Sequence, residues 1–429
     1  MEFLTEDAPV IVVQKYGGTS VADTDRIKHV AARIAQAKRA GHDVVAVVSA
    51  MGHTTDELLR QAHEISEIPP GRELDMLLTA GERISMALLA MAIHEEGLTA
   101  RSLTGSQAGI ITDTAHGKAR IIDITPGRIT EALSGGDVVI VAGFQGVSRD
   151  SKDVTTLGRG GSDTTAVALA AALGAGLCEI YTDVDGVYTA DPRIVGDARK
   201  LDRLAHEEML ELAACGAKVL QVRSVEYARN HGVTVRVRSS FAFAEGTLID
   251  QGEDMEQAII SGVAHDTDEG KLVIRGVPDK PGVAARIFTE LADNNINIDM
   301  IVQNVSADGT TDISCTLPQA DGPGAVQLLE TLTGEIGAEG IDFDPGIGKV
   351  SLVGAGMRTH PGVAASMFSA LSEAGVNIEM ISTSTIRISV VVRADDVETA
   401  VRAVHDRFGL SAAGSSTRGE SRGSSEAIA

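Results

Sequence analysis

Short runs of β-branched apolar residues recur along the first part of the chain, at Val10–Val13, Val44–Val48, Val138–Val141, Glu179–Thr182 and Val233–Val237. Between them lie longer Ala-, Leu- and Glu-rich stretches with a helical period. Strands that are apolar on both faces and separated by helices predict a mostly parallel sheet covered on each side. The expectation is a three-layer α/β domain over residues 10–248, after a short acidic N-terminal extension at 1–9.

The pattern then changes. Asp250, Gly252, Glu253, Asp254 and Glu256 mark a polar linker, placed at 249–262. Beyond it the chain repeats itself: Pro281 to Ile301 and Pro361 to Ile381 align without a gap at a spacing of 80 residues, with 11 of 21 positions identical. Each copy reads as strand, Pro-Gly turn, amphipathic helix and Asn-Ile strand. Two copies are too few for a solenoid and predict a paired ligand-binding unit. The modules are expected at 263–345 and 346–411. Residues 412–429, rich in Ser, Gly, Arg and Glu without apolar periodicity, are expected to be a disordered tail.

Composition narrows the function. A length of 429 residues predicts two or three domains. Net charge is −23, which argues against nucleic-acid binding and makes a basic residue in a glycine turn informative. The three cysteines are far apart, so neither a disulfide framework nor a zinc site is expected, and a cytoplasmic location fits. The longest apolar stretch, Ala166 to Leu177, holds two glycines and is too short for a membrane span, so no membrane association is expected.

The densest chemistry lies at Thr155 to Thr165, where three glycines, Arg159, Asp163 and five hydroxyls precede an Ala-rich run. This reads as a glycine turn opening into a helix, a ready anion site. A cation and an anion in one small-residue loop point to a ligand of mixed charge. Lys15-Tyr16-Gly17-Gly18-Thr19-Ser20 follows the first strand and fits either a phosphate cradle or an ordinary strand–helix turn. Ser49 to Glu57 offers substrate hydroxyls or a helix cap. Glu82, taken alone, reads as a helix charge. Tyr181 to Arg193 contains the Asp185-Gly186 turn and lacks the spacing of a calcium loop, so a nucleotide loop is the better functional reading. Lys218 is a further cation.

Together, Lys-Tyr-Gly-Gly-Thr-Ser, Thr-Thr-Leu-Gly-Arg-Gly-Gly-Ser-Asp, Thr-Asp-Val-Asp-Gly-Val-Tyr-Thr-Ala-Asp-Pro-Arg and the tandem repeat resemble the aspartate kinase family over about residues 10 to 410. The resemblance implies an amino-acid kinase fold followed by two ferredoxin-like βαββαβ ACT modules. It implies phosphorylation of the side-chain carboxylate of L-aspartate by ATP, with Mg2+ carried by the nucleotide and no separate metal site. It places Lys15, Glu82 and Asp163 in catalysis. Ser49, Thr55, Glu82, Arg159, Gly160, Gly161, Ser162 and Asp163 fall around aspartate. Lys15, Tyr16, Gly17, Gly18, Thr182, Asp183, Tyr188, Arg193 and Lys218 fall around ATP. It makes the repeats sensors for lysine, threonine or both, through Asp279, Gly282, Asn297 and Gln303 in the first copy and His360, Gly362, Val363, Asn377 and Ile378 in the second. The second copy departs from relatives: Thr383-Ser384-Thr385 stands where they often read Thr-Ser-Glu. A homo-oligomer is expected, or an α2β2 assembly with a short subunit begun near Met255.

Overall fold

A computed structural model describes residues 10–252, 260–304, 309–358 and 360–411; Met255 and residues 412–429 lie outside the described residues. The described chain forms two compact units. The first holds the residues up to Val187 and Leu201–Ser261, and the second holds Tyr188–Lys200 and the residues from Gly262 onward.

In chain order the first unit contains β1 (Ile11–Tyr16), α1 (Thr24–Arg39), β2 (Asp43–Val48), α2 (Thr54–Ile65), α3 (Gly71–Leu78), α4 (Ala80–Glu95), β3 (Ala100–Leu103), β4 (Ile110–Thr112), β5 (Ile121–Ile124), α5 (Gly127–Ser134), β6 (Val138–Ala142), β7 (Gln145–Ser148), β8 (Val154–Thr156), α6 (Gly161–Leu173), β9 (Leu177–Thr182), β10 (Arg203–Ala205), α7 (His206–Ala214), α8 (Val222–His231), β11 (Val235–Ser239) and β12 (Thr247–Asp250). Eight strands form one sheet in the order β10-β12-β11-β9-β1-β2-β6-β3. Only the β11–β12 pairing is antiparallel. The central strands β2 and β6 are buried almost throughout, as expected for a parallel sheet covered on both faces.

Strand alternation decides what each face receives. Tyr16, Val44, Ala46, Val48, Val138 and Ile140 meet Ile27, Val30 and Ile34 of α1 and Leu89 and Ile93 of α4. The opposite face receives α6, which packs on β1, β2 and β9. Gly71–Glu95 is long and apolar enough, by length and composition, to cross a membrane, yet half of its most apolar window is buried in this unit. β5, β4, β7 and β8 form a smaller separate sheet.

The second unit adds β13 (Gly262–Asp266), β14 (Glu269–Pro278), α9 (Val283–Asp293), β15 (Ile301–Gln303), β16 (Thr310–Pro318), α10 (Gly322–Ile336), β17 (Gly340–Asp344), β18 (Ile347–Val353), α11 (Val363–Glu373), β19 (Met380–Thr383), β20 (Arg387–Arg393) and α12 (Val397–Arg407). The first copy runs βαββαβ, with its sheet ordered β15-β16-β14-β17. The second copy has no strand after α12 among the described residues. Its sheet, β13-β18-β20-β19, takes its edge from the start of the unit. β13 therefore belongs to the second copy, whereas a contiguous reading of 263–345 gives it to the first.

The segment Tyr188–Lys200 also departs from the contiguous reading. Val263 N donates to Thr189 O at 2.7 Å. Thr189 Oγ1 lies 3.0 Å from His405 Nε2 and 3.1 Å from Leu410 O. Arg402 Nε donates to Ile194 O at 3.0 Å. These bonds tie residues expected in the catalytic domain to the second unit.

Candidate functional site

Several strand ends of the large sheet converge where ligands sit in open α/β folds, at the C-terminal edge. The turn after β1 is tight at Gly18. A Cβ on Gly18 would lie 3.0 Å from the carbonyl oxygens of both Ala50 and Gly52, and Gly52 N donates to Gly18 O at 3.0 Å. The Lys15–Gly18 turn is thereby pressed against the Ser49–Thr55 turn. Gly81 continues the stack, since a Cβ there would meet Ala50 Cβ at 2.7 Å. This brings the start of α4 in, and Ala50 N donates to Glu82 Oε1 at 3.2 Å.

Lys15 and Tyr16 alternate across the sheet. Lys15 emerges on the α6 face, where its Nζ lies 2.6 Å from Asp163 Oδ1, both side chains being largely buried. Tyr16 points the other way. Its ring is fully buried, stacked on Tyr181 at 4.8 Å between centroids, and its hydroxyl donates to Gln14. Strand alternation commits that ring to the core, so any part Tyr16 takes around ATP falls to its backbone.

α6 begins in the left-handed conformation at Gly160, φ +69°, where a Cβ would sit 1.8 Å from Gln221 Cγ. Gly160 thus lets the loop approach the start of α8, three residues beyond exposed Lys218. Arg159 is exposed and has no ion-pair partner among the described residues. Gly161, Ser162 and Asp163 are buried in the first turn. Ser162 Oγ lies where a Cβ on Gly143 would clash, at 2.7 Å. Ser49 and Thr55 are half-buried at the end of β2 and the start of α2.

Glu82 is the carboxylate perturbed here. Burial pushes its carboxyl up to about 7, against the lowering effect of the backbone hydrogen bonds at Glu82 and Ala50. Its Oε2 has no hydrogen-bond partner. A buried carboxylate oxygen left free, an unpaired arginine and a Lys–Asp pair are together a donor and acceptor set that suits a zwitterion.

Thr182 ends β9 and donates to the exposed Asp183 at 3.1 Å. The remaining residues expected at ATP, Tyr188 and Arg193, belong to the second unit. Arg193 forks onto Asp191, with Nη2 to Oδ2 at 2.6 Å. Gly143 and Gln221 escaped the sequence reading, since neither lies in a charged or glycine-rich motif.

In the second unit, an open pocket of about 410 Å3 is lined by Met357, His360, Gly362, Val363, Ala364, Thr383, Ser384, Thr385 and Ile388. It gathers three of the five effector residues expected in the second copy. Asn377 and Ile378 do not line it. Gly282 and Gly362 cap α9 and α11 with the same left-handed φ of +98°. In the first copy Asp279, Asn297 and Gln303 are exposed, and the open groove there is lined by Asn294, Ile296, Asp321 and Gln327 instead.

Residues 10–239 match the amino acid kinase family, and residues 271–332 and 350–408 match the ACT domain. An aspartokinase of Mycolicibacterium smegmatis is 60% identical over 405 residues, covering 93% of this chain and 96% of that protein. An aspartokinase of Corynebacterium glutamicum is 59% identical over the same shares. Among solved structures, E. coli aspartokinase III in complex with aspartate and ADP superposes with a TM-score of 0.79 at 26% identity, over 92% of this chain and 99% of that one. The same enzyme in complex with lysine and aspartate gives a TM-score of 0.71 at 27% identity, over 94% and 100%.

Proposed function

The chain belongs to the amino acid kinase family and, within it, to the aspartokinases, and from that premise we propose that it phosphorylates the side-chain carboxylate of L-aspartate with ATP, giving 4-phospho-L-aspartate. The observation that carries the reading is the gathering of Lys15, Glu82 and Asp163 at one sheet edge, with the unpaired Arg159 one residue before the Gly160 cap. Arg159 suits the α-carboxylate of aspartate, and Glu82 and Asp163 suit its ammonium. Ser49, Thr55 and Ser162 supply hydroxyls, and Gly160 and Gly161 the backbone of the turn.

A carboxylate nucleophile is already ionised at neutral pH, so no general base is required. The chain's task is alignment and charge neutralisation. Lys15 is held by Asp163 against the Gly17 turn, where a Cβ would come within 3.4 Å of its ammonium. That geometry fits a phosphate cradle, and bound Mg2+-ATP supplies the phosphoryl group. Thr182, Asp183 and Lys218 complete the proposed nucleotide side within the first unit.

The product is the first intermediate toward lysine, threonine, methionine and diaminopimelate in this reading, and a cytoplasmic location fits it. Lysine, threonine or both act as feedback inhibitors at the ACT pair. The pocket at Gly362 supports this, with a helix start suited to an amino acid's carboxylate and the hydroxyls of Thr383 to Thr385. Inhibition follows if the effectors prefer a conformation in which the catalytic unit is misaligned. A homo-oligomer, or an α2β2 assembly with a short subunit, is the proposed assembly.

Coupled ADP release from the purified chain tests the reading. It predicts turnover with L-aspartate, little with glutamate, and a lower rate when lysine and threonine are added together. No aspartate-dependent ADP release contradicts it.

A further inference from the structure

Asp75 is a buried carboxylate that no catalytic motif contains. It lies on α3, is fully buried, and has no Lys or Arg partner among the described residues. Leaving a carboxylate inside a protein is unfavourable unless hydrogen bonds compensate it, and here several do. Thr156 Oγ1 donates to Oδ1 at 2.6 Å. Gly117 N donates to both oxygens, at 3.1 and 3.2 Å. His116 Nδ1 lies 2.7 Å from Oδ2.

These partners lead to one place. Thr156 ends β8, and the next residues are Leu157, Gly158 and Arg159. The loop carrying His116 and Gly117 lies along the same stretch: Ala119 N donates to Thr156 O at 2.9 Å, and Gly117 O lies 3.0 Å from where a Cβ on Gly158 would be. Arg223 closes the bracket, donating to Leu157 O at 3.1 Å and to Ala119 O at 2.9 Å. On its own side, Asp75 O accepts from Thr79 N at 3.1 Å, at the junction from which α4 starts and Glu82 follows. The Asp75 carboxylate thus ties α3, which runs directly into the helix bearing Glu82, to the strand that leads into Arg159.

We propose that Asp75, through Thr156 and the His116–Gly117 loop, is a positioning residue that sets how far Glu82 and Arg159 stand from Lys15 and so the length of amino-acid side chain the site accepts. The inference rests on the aspartate kinase reading above. Glu82 and Arg159 would hold the two charged groups of one amino acid. A shift of either element moves the α-groups, and with them the side-chain carboxylate, relative to the Lys15–Gly18 turn, which stays in place on β1.

The test uses the full chain with T156V, T156S, H116Q and D75N, each assayed for kcat and KM with aspartate and ATP, for glutamate turnover and for thermal midpoint. T156V and D75N are expected to raise the KM for aspartate about tenfold and to narrow the preference over glutamate, with the KM for ATP within about twofold. T156S, which keeps the hydroxyl, should behave as the parent. An unchanged KM for aspartate in T156V, or a parallel rise in both KM values, overturns the positioning role. Should D75N fail to fold, the contrast of T156V with T156S decides. An active parent with unshifted variants refutes only this inference, whereas a parent without aspartate-dependent turnover refutes the functional reading and the inference with it.

Discussion

Glu82 shows how environment changes the meaning of a residue. In the sequence it is an ordinary helix charge. In the fold, Gly81 brings it against Ala50, burial lifts its carboxyl to about 7, and one oxygen stays free. The unbound site therefore carries a protonated Glu82 below about pH 7 and an ionised one above. An ammonium ligand favours the ionised form, so kcat/KM for aspartate is expected to rise between about pH 6 and about pH 8, and E82Q to lose that limb. The same shift affects stability. The folded state holds this proton more tightly than the unfolded chain, so ionising Glu82 costs stability progressively from about pH 4.5 to about pH 7. The cost at about pH 8 is about 3 kcal/mol, and E82Q should gain on the parent by a similar amount between about pH 5 and about pH 8 in denaturant melts. Lys15, Arg159 and Asp163 were legible because they sit in glycine motifs. Glu82 needed the family resemblance. Asp75 was not legible, because a charge at helical spacing reads as solvated until its burial is seen.

At the scale of elements, glycines set where helices begin. Gly160 has a positive φ and touches Gln221, whereas Gly362 has a positive φ and open space around it. The two alanine variants therefore separate strain from collision. G362A should cost roughly 1 kcal/mol of stability from backbone strain alone. G160A adds a steric clash and should lower the thermal midpoint further while reducing activity. Equal melting shifts for the two would contradict this assignment. The parallel core was readable from its apolar runs, because burial on both faces leaves no polar alternation. The edge strand β13 was not, since its partner β18 lies some 80 residues further on and a repeat read along the chain closes each copy on itself. Tyr188–Lys200 lies within the stretch matched to the amino acid kinase family, and its contacts with the second unit were not legible for a similar reason: its partners, such as His405, are remote in sequence.

Across the whole molecule, the repeat is visible in how its copies bind each other. Gly270-Lys271 and Gly348-Lys349 are equivalent in the two copies, as are Asp299 and Glu379. Lys271 of the first pairs with Glu379 of the second, and Lys349 of the second pairs with Asp299 of the first, with Glu269 added. Burial works against the Lys349 charge, yet Glu269 and Asp299 outweigh it and hold the ammonium at about 12. Exchanged ion pairs of this kind fix the register of two like modules, because removing Lys349 would leave the buried Glu269 without its cation. The catalytic unit and this paired unit together make the regulated kinase proposed here. Its central claim is acyl-phosphate formation on aspartate, and trapping the product with hydroxylamine tests that most directly. The parent chain with ATP, Mg2+ and L-aspartate should yield aspartate hydroxamate, and K15A should yield roughly 100-fold less or lower still. ATP consumption without hydroxamate, or an undiminished yield from K15A, would contradict the account.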